Sequence, residues 1–147
     1  MDNPMYREKP LSSLLAYLGA LPFWAIAIAP FAGIDAAMAQ SAFIAYGTGI
    51  ACFMAGTIWS QAQISPAKSS GLLLFSNAAA LIAIAALLLH HALPVPALLL
   101  QAGTFLLLLL ADHRMFRKGD QPAWYFALRR NVTALVLLAY GLAIMGA

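Results

Sequence analysis

The sequence predicts an all-α integral membrane bundle of five transmembrane helices, with the N-terminus inside and the C-terminus outside. Composition is the first reason. Of 147 residues, 63% are hydrophobic and 9% charged, and mean hydropathy is +0.84, whereas a soluble domain carries about 25% charge. The second is a series of five apolar stretches, each close to the roughly 20 residues that a helix needs to cross a bilayer. They fill the chain and imply one domain over residues 1–147. The third is the placement of all eight lysines and arginines on one side of this reading. Arg7 and Lys9 precede the first stretch, and Lys68 lies between the second and third. Arg114, Arg117, Lys118, Arg129 and Arg130 surround the junction of the fourth and fifth. The alternate connections, around residues 33–40 and 90–96, carry none. Cytoplasmic loops are enriched in Lys and Arg, so the asymmetry orients the chain.

The first span covers about residues 11–31 and contains Pro22, which a membrane helix tolerates when neighbours satisfy the freed carbonyl. Ala37-Met38-Ala39 before Gln40 resembles a secretory cleavage site. The apolar run is longer than the usual 7–15 residues, however, and Asp35 interrupts the approach. The segment therefore reads as a retained span. The second span, residues 41–60, carries two stripes of small residues at four-residue spacing: Gly47, Ala51 and Ala55, and beside them Thr48, Cys52, Gly56 and Ser60. Helices in lipid associate through close backbone approach, so this helix is expected at the centre, with Gly47, Ala51, Ala55 and Gly56 as its packing stripe.

The third span, residues 71–89, opens with Ser76-Asn77 and continues as alanine and leucine. The fourth, residues 96–111, holds Gln101 and Thr104 before an unbroken leucine run at 106–110. Gly119, Asp120 and Pro122 then break the chain, and proline suits a first helical turn, so the fifth span is placed at 122–145. Trp124 and Tyr125 fall at the inner interface, as aromatic-belt residues do.

Five patches resemble a known family: Leu18-Gly19-Ala20-Leu21-Pro22-Phe23, Phe53-Met54-Ala55-Gly56-Thr57-Ile58-Trp59, Ser76-Asn77, Asp112, and Pro122-Ala123-Trp124-Tyr125-Phe126-Ala127-Leu128-Arg129 followed by Thr133. In order and spacing they are similar to the domain of unknown function 3429 family, whose animal relatives are called transmembrane protein 69. The resemblance implies a small multi-span inner-membrane protein and brings no established activity with it. Where relatives show a glycine-rich patch ending in His-Trp-Gly, this chain has Gly56-Thr57-Ile58-Trp59-Ser60. A role resting on that histidine would be missing here.

Few residues suggest chemistry. Asp112 follows the leucine run at a membrane boundary, where a carboxylate is costly unless solvated or paired. Arg129, one turn into the fifth helix, is expected to pair with it near headgroup water, as a structural ion pair rather than a proton or ion site. Trp59 and Gln61 end the second span near Trp124 and Tyr125, and this inner-face set could contact a quinone or lipid headgroup. His90 and His91 are adjacent, so on a helix they point about 100° apart and cannot share one metal ion without a break in the helix. A haem between helices fails as well, because His113 is predicted on the opposite side. Cys52 is the only cysteine, which excludes an intrachain disulfide, a CxxC pair and a cysteine zinc site. The net charge of +3 sits beside spans, where it matches anionic headgroups, and is no nucleic-acid signal.

No catalytic residues, cofactor or metal ligands are therefore assigned. The function expected is that of a non-enzymatic accessory or assembly subunit in a bacterial inner membrane. Its partners would be the bilayer and other membrane subunits or further copies of itself. A minimal oligomeric transporter, with a path lined by Asn77, Gln101, Thr104 and Asp112, is the rival. A quinone- or lipid-binding protein is the third reading.

Overall fold

Each helix begins and ends where the backbone chemistry allows. The computed structural model describes residues 9–64 and 70–147, and the helices in it are α1 (Lys9–Ile28), α2 (Ala36–Ile64), α3 (Ser70–Leu89), α4 (Pro94–Arg117) and α5 (Ala123–Met145). A 3-10 turn, Ala29–Ala32, extends α1. It closes on Gly33, whose φ of 88° is accessible to glycine at little cost, with Ile34 N–H reaching back to the Ala29 carbonyl at 3.1 Å. The same device ends α4: Gly119 has φ 81°, and the amides of Gly119 and Asp120 bond the Phe116 and Met115 carbonyls, each at 3.0 Å. Asp35 starts α2 by accepting the Met38 N–H at 2.8 Å, an N-cap that satisfies an otherwise orphaned donor. Ala37-Met38-Ala39 thus forms the first turn of α2, with Ala39 buried.

All five helices are long and apolar enough to cross a membrane. No strand occurs among the described residues. The boundaries differ from the expected spans mainly at α2 and α4. Helix α2 starts five residues before the expected Ser41 and runs four past Ser60, and α4 continues six residues past Ala111. Hydropathy marks only the part of a helix that faces hydrocarbon, whereas hydrogen bonding carries the helix on into the polar zone. At 1.5 Å per residue, the 29 residues of α2 span about 44 Å, beyond a hydrocarbon layer of about 30 Å.

The helices form a ring. Helix α1 packs on α2 and α5, α2 on α3, α3 on α4, and α4 on α5, while α2 also reaches across to α4. Ten residues of α2 and nine of α4 are buried, against three in α1, four in α3 and five in α5, so α2 and α4 are the central pair. Against α2, helix α3 presents Ser76, Ala79, Ala83 and Ala86, small side chains that bring two backbones close. An aromatic knot fills the middle: the Phe23 ring meets those of Phe43 and Tyr46 edge-on, with centroids at 5.3 and 5.0 Å. Helix α1 is continuous through Pro22, and three residues before it the Gly19 carbonyl accepts the Tyr46 hydroxyl at 2.8 Å.

One expectation needs correction here. Gly56 does not lie in the packing seam: it is exposed, and a Cβ built on it would meet nothing within 4 Å. The two small stripes lie about 100° apart on the helix; the one holding Gly47, Ala51 and Ala55 is buried throughout, and the other is buried only at Thr48. His90 and His91 follow α3, which ends at Leu89 as expected, and their ring centroids lie 3.8 Å apart in the turn. His90 is buried, with Nε2 3.2 Å from Ser41 Oγ and Nδ1 at the Leu87 carbonyl, so it joins the end of α3 to the start of α2. Arg7 and Lys68, which contribute to the expected orientation, lie outside the described residues.

Candidate functional site

Polar side chains collect at two places inside the bundle. The first is mid-bundle, where Gln101 of α4 has no exposed surface. Its Nε2 donates to the Ile44 carbonyl at 3.1 Å and to Thr48 Oγ1 at 2.8 Å. The Tyr140 hydroxyl of α5 donates to Gln101 Oε1. The Thr48 hydroxyl donates to the Ile44 carbonyl at 2.8 Å, with the Ala83 carbonyl of α3 at 3.3 Å. One carboxamide therefore links α2, α4 and α5, and its partner Thr48 faces α3. Gly47 makes the room: a Cβ there would collide with Gln101 Oε1 and the Tyr140 hydroxyl. In a bilayer a polar group must find its partners inside the protein, and this set does so.

The second cluster lies where α2 and α4 end and α5 begins. Arg129 Nε donates to Asp112 Oδ2 at 2.8 Å, bringing together the two residues paired from the sequence. Gln121, in the turn between α4 and α5, donates from Nε2 to Asp112 Oδ1 at 3.1 Å and to Gln61 Oε1 at 2.8 Å. The Asp112 carboxylate and the Gln121 amide together join α2, α4 and α5. Asp112 is 1% exposed and the Arg129 side chain 12%, so the pair is buried and not open to headgroup water as expected. Gln121 and Arg129 lie against the two oxygens of Asp112.

Gln61 belongs to this cluster; Trp59 does not. Trp59 is exposed and lines a groove between α2 and α3 with Cys52, Gly56, Ser76 and Asn77. The Trp124 and Tyr125 rings meet each other edge-on at 5.8 Å. Lys9 Nζ stands 5.4 Å from the Trp124 ring centroid and the Arg129 guanidinium 5.9 Å from that of Tyr125. The four residues grouped as an inner-face contact are thus divided between two faces. Sequence reasoning missed Gln121 and Tyr140. Gln121 sits in a Gly-Asp-Gln-Pro break that reads as a plain turn, and Tyr140 lies within an apolar stretch with no motif around it.

A cavity of about 140 Å³ lies among α1, α2, α4 and α5, lined by apolar side chains together with Arg129 and Thr133. Among the described residues, Arg129 Nη2 and Thr133 Oγ1 are both buried with no hydrogen-bond partner. No group of three or more His, Cys, Asp or Glu side chains suited to a metal ion occurs among the described residues.

Comparison with known proteins gives one match. The model of a family described as a protein of unknown function (DUF3429) matches residues 9–145. No curated protein and no solved structure matches.

Proposed function

The chain belongs to the DUF3429 family, and from that premise we propose that it is a non-enzymatic, multi-pass protein of a bacterial inner membrane, an accessory or assembly subunit that packs against a larger membrane complex. The observation that supports this is the groove between α2 and α3. Asn77, about 10 Å along α3 at 1.5 Å per residue, is exposed, and among the described residues only one donor contact, Nδ2 to the Leu73 carbonyl at 2.8 Å, occupies its amide. Beside it lie exposed Gly56 and half-buried Cys52, with Trp59 toward the end of α2. An amide next to small residues on a lipid-facing surface suits a partner's transmembrane helix, which can approach closely and hydrogen-bond to it.

The transporter reading has less behind it. Gln101, Thr104 and Asp112 are at most 1% exposed and hydrogen-bonded within the bundle, while Asn77 stands on the outer face of α3. These four residues line no common path.

Mild detergent extraction followed by native mass spectrometry tests the proposal. Wild-type chain is expected in a discrete assembly with another membrane protein. Gly56→Leu and Asn77→Leu should release it as a folded monomer, since neither side chain supports the chain's own core. An assembly of identical copies would assign the groove to self-association. A wild-type chain that is monomeric and free of protein partners would defeat the subunit reading.

A further inference from the structure

We propose that the cavity among α1, α2, α4 and α5 binds the ring of a quinone-class molecule, with a ring carbonyl taken by Arg129 and Thr133 and the apolar tail lying toward lipid. The inference stands apart from the partner groove, which is on another face.

Three properties of the cavity define the ligand. Its volume of about 140 Å³ is close to the roughly 150 Å³ of an apolar cavity that holds a benzene-sized ring. Phe23, Phe53 and Phe105 contribute to its walls, so a planar ring finds aromatic faces and edges to pack against. Phe53 and Leu15, which also line it, are 70% and 58% exposed, which opens a route for a tail.

The polar lining sets the head's chemistry. Arg129 and Thr133 lie one helical turn apart on α5 and so share a face. Thr133 is 1% exposed, yet its hydroxyl makes no hydrogen bond among the described residues. Even the carbonyl one turn back, the usual refuge of a helical threonine, is not used. Arg129 directs Nε to Asp112 and leaves Nη2 buried without a partner. Two buried donors without acceptors are costly, each at a price that an acceptor in the cavity would remove.

That acceptor is neutral. Asp112 already balances the guanidinium at 2.8 Å, so a carboxylate or phosphate would bring an unmatched charge into an apolar space. A ring carbonyl offers lone pairs without charge.

The test uses the full chain, purified in mild detergent and titrated with a benzoquinone carrying a decyl tail, with adducts counted by native mass spectrometry. Wild type should bind one molecule saturably. Thr133→Val keeps the shape and removes the hydroxyl, so it should bind about 2- to 12-fold more weakly, as expected for one net hydrogen bond. Gly19 lines the cavity, and a Cβ there meets nothing within 4 Å, so Gly19→Phe should fill the space and abolish the adduct. Thermal unfolding without ligand identifies the variants that retain the fold, and Leu15→Trp at the mouth is a second blocking variant. Uptake that does not saturate, or that is the same in wild type and the folded blocking variants, overturns the proposal. So does undiminished affinity in Thr133→Val, or a phospholipid held one-to-one that the quinone does not displace.

Discussion

At position 47 a side chain would have to share its space with the Gln101 carboxamide oxygen and the Tyr140 hydroxyl. Gly47→Ala is therefore expected to destabilise the bundle by about 1–3 kcal/mol, the usual range for overpacking a tight interior. Its methyl group forces either α2 away from α4 or the Tyr140–Gln101 hydrogen bond apart. Gly49→Ala, two residues along the same helix, is the control, because its Cβ meets nothing within 4 Å. Unfolding of both variants by denaturing detergent, followed by circular dichroism, checks this, and equal stabilities would remove the close approach at Gly47. The sequence alone could not separate Gly47 from Gly56. Both belong to stripes of small residues at four-residue spacing, and the hydroxyls of Thr48 and Ser60 in the second stripe do not decide which one turns inward, since Thr48 is buried and Ser60 exposed. What distinguishes them is on other helices: Gln101 and Tyr140 oppose Gly47, and no atom opposes Gly56.

Between elements, the decisive contact is that of α4 with α5 through Asp112 and Arg129. Burial changes its expected energetics. An exposed pair is worth about 0.2–1 kcal/mol, but Asp112 at 1% exposure leaves a guanidinium without its counter-charge when it is neutralised. Asp112→Asn and Arg129→Gln should each cost about 3–5 kcal/mol, the range for breaking a buried pair. The double variant should lose clearly less than the sum, because the second change removes the charge that the first left unmatched. Equilibrium unfolding of the four chains gives the coupling directly, and strict additivity would show that the two residues act independently. This pair was legible in the sequence because Asp112 is the first ionisable group after the leucine run of the fourth span and Arg129 falls one turn into the fifth, at a similar depth. Gln121, which holds the other carboxylate oxygen, was not, since only the Schellman turn at Gly119 sends it back against the ends of α2 and α4. The helix ends were illegible for a related reason: hydropathy reports where lipid begins and not where backbone hydrogen bonding stops.

For the molecule as a whole, the two ends of the bundle differ in charge. Arg114, Arg117, Lys118 and Arg130 are exposed at the end that carries the Asp112–Arg129 pair, and Lys9 reaches the same end over the Trp124 ring. At the opposite end, the described connections hold Asp35, His90 and His91 and no lysine or arginine. Each basic residue near an anionic headgroup surface contributes about 1 kcal/mol, and these contributions act together during insertion. The cationic end is therefore expected to stay in the cytoplasm, which five crossings convert into an outside C-terminus. A reporter active only in the cytoplasm, fused after Lys118, should report; the same reporter fused after Ala147 should be silent. Fusion to the full chain at Ala147 is the stricter of the two, since every span must already have crossed. Activity at Ala147 together with silence at Lys118 would invert the orientation. Activity at both would mean that α5 does not cross, and the ring of five spanning helices would have to be rebuilt without it.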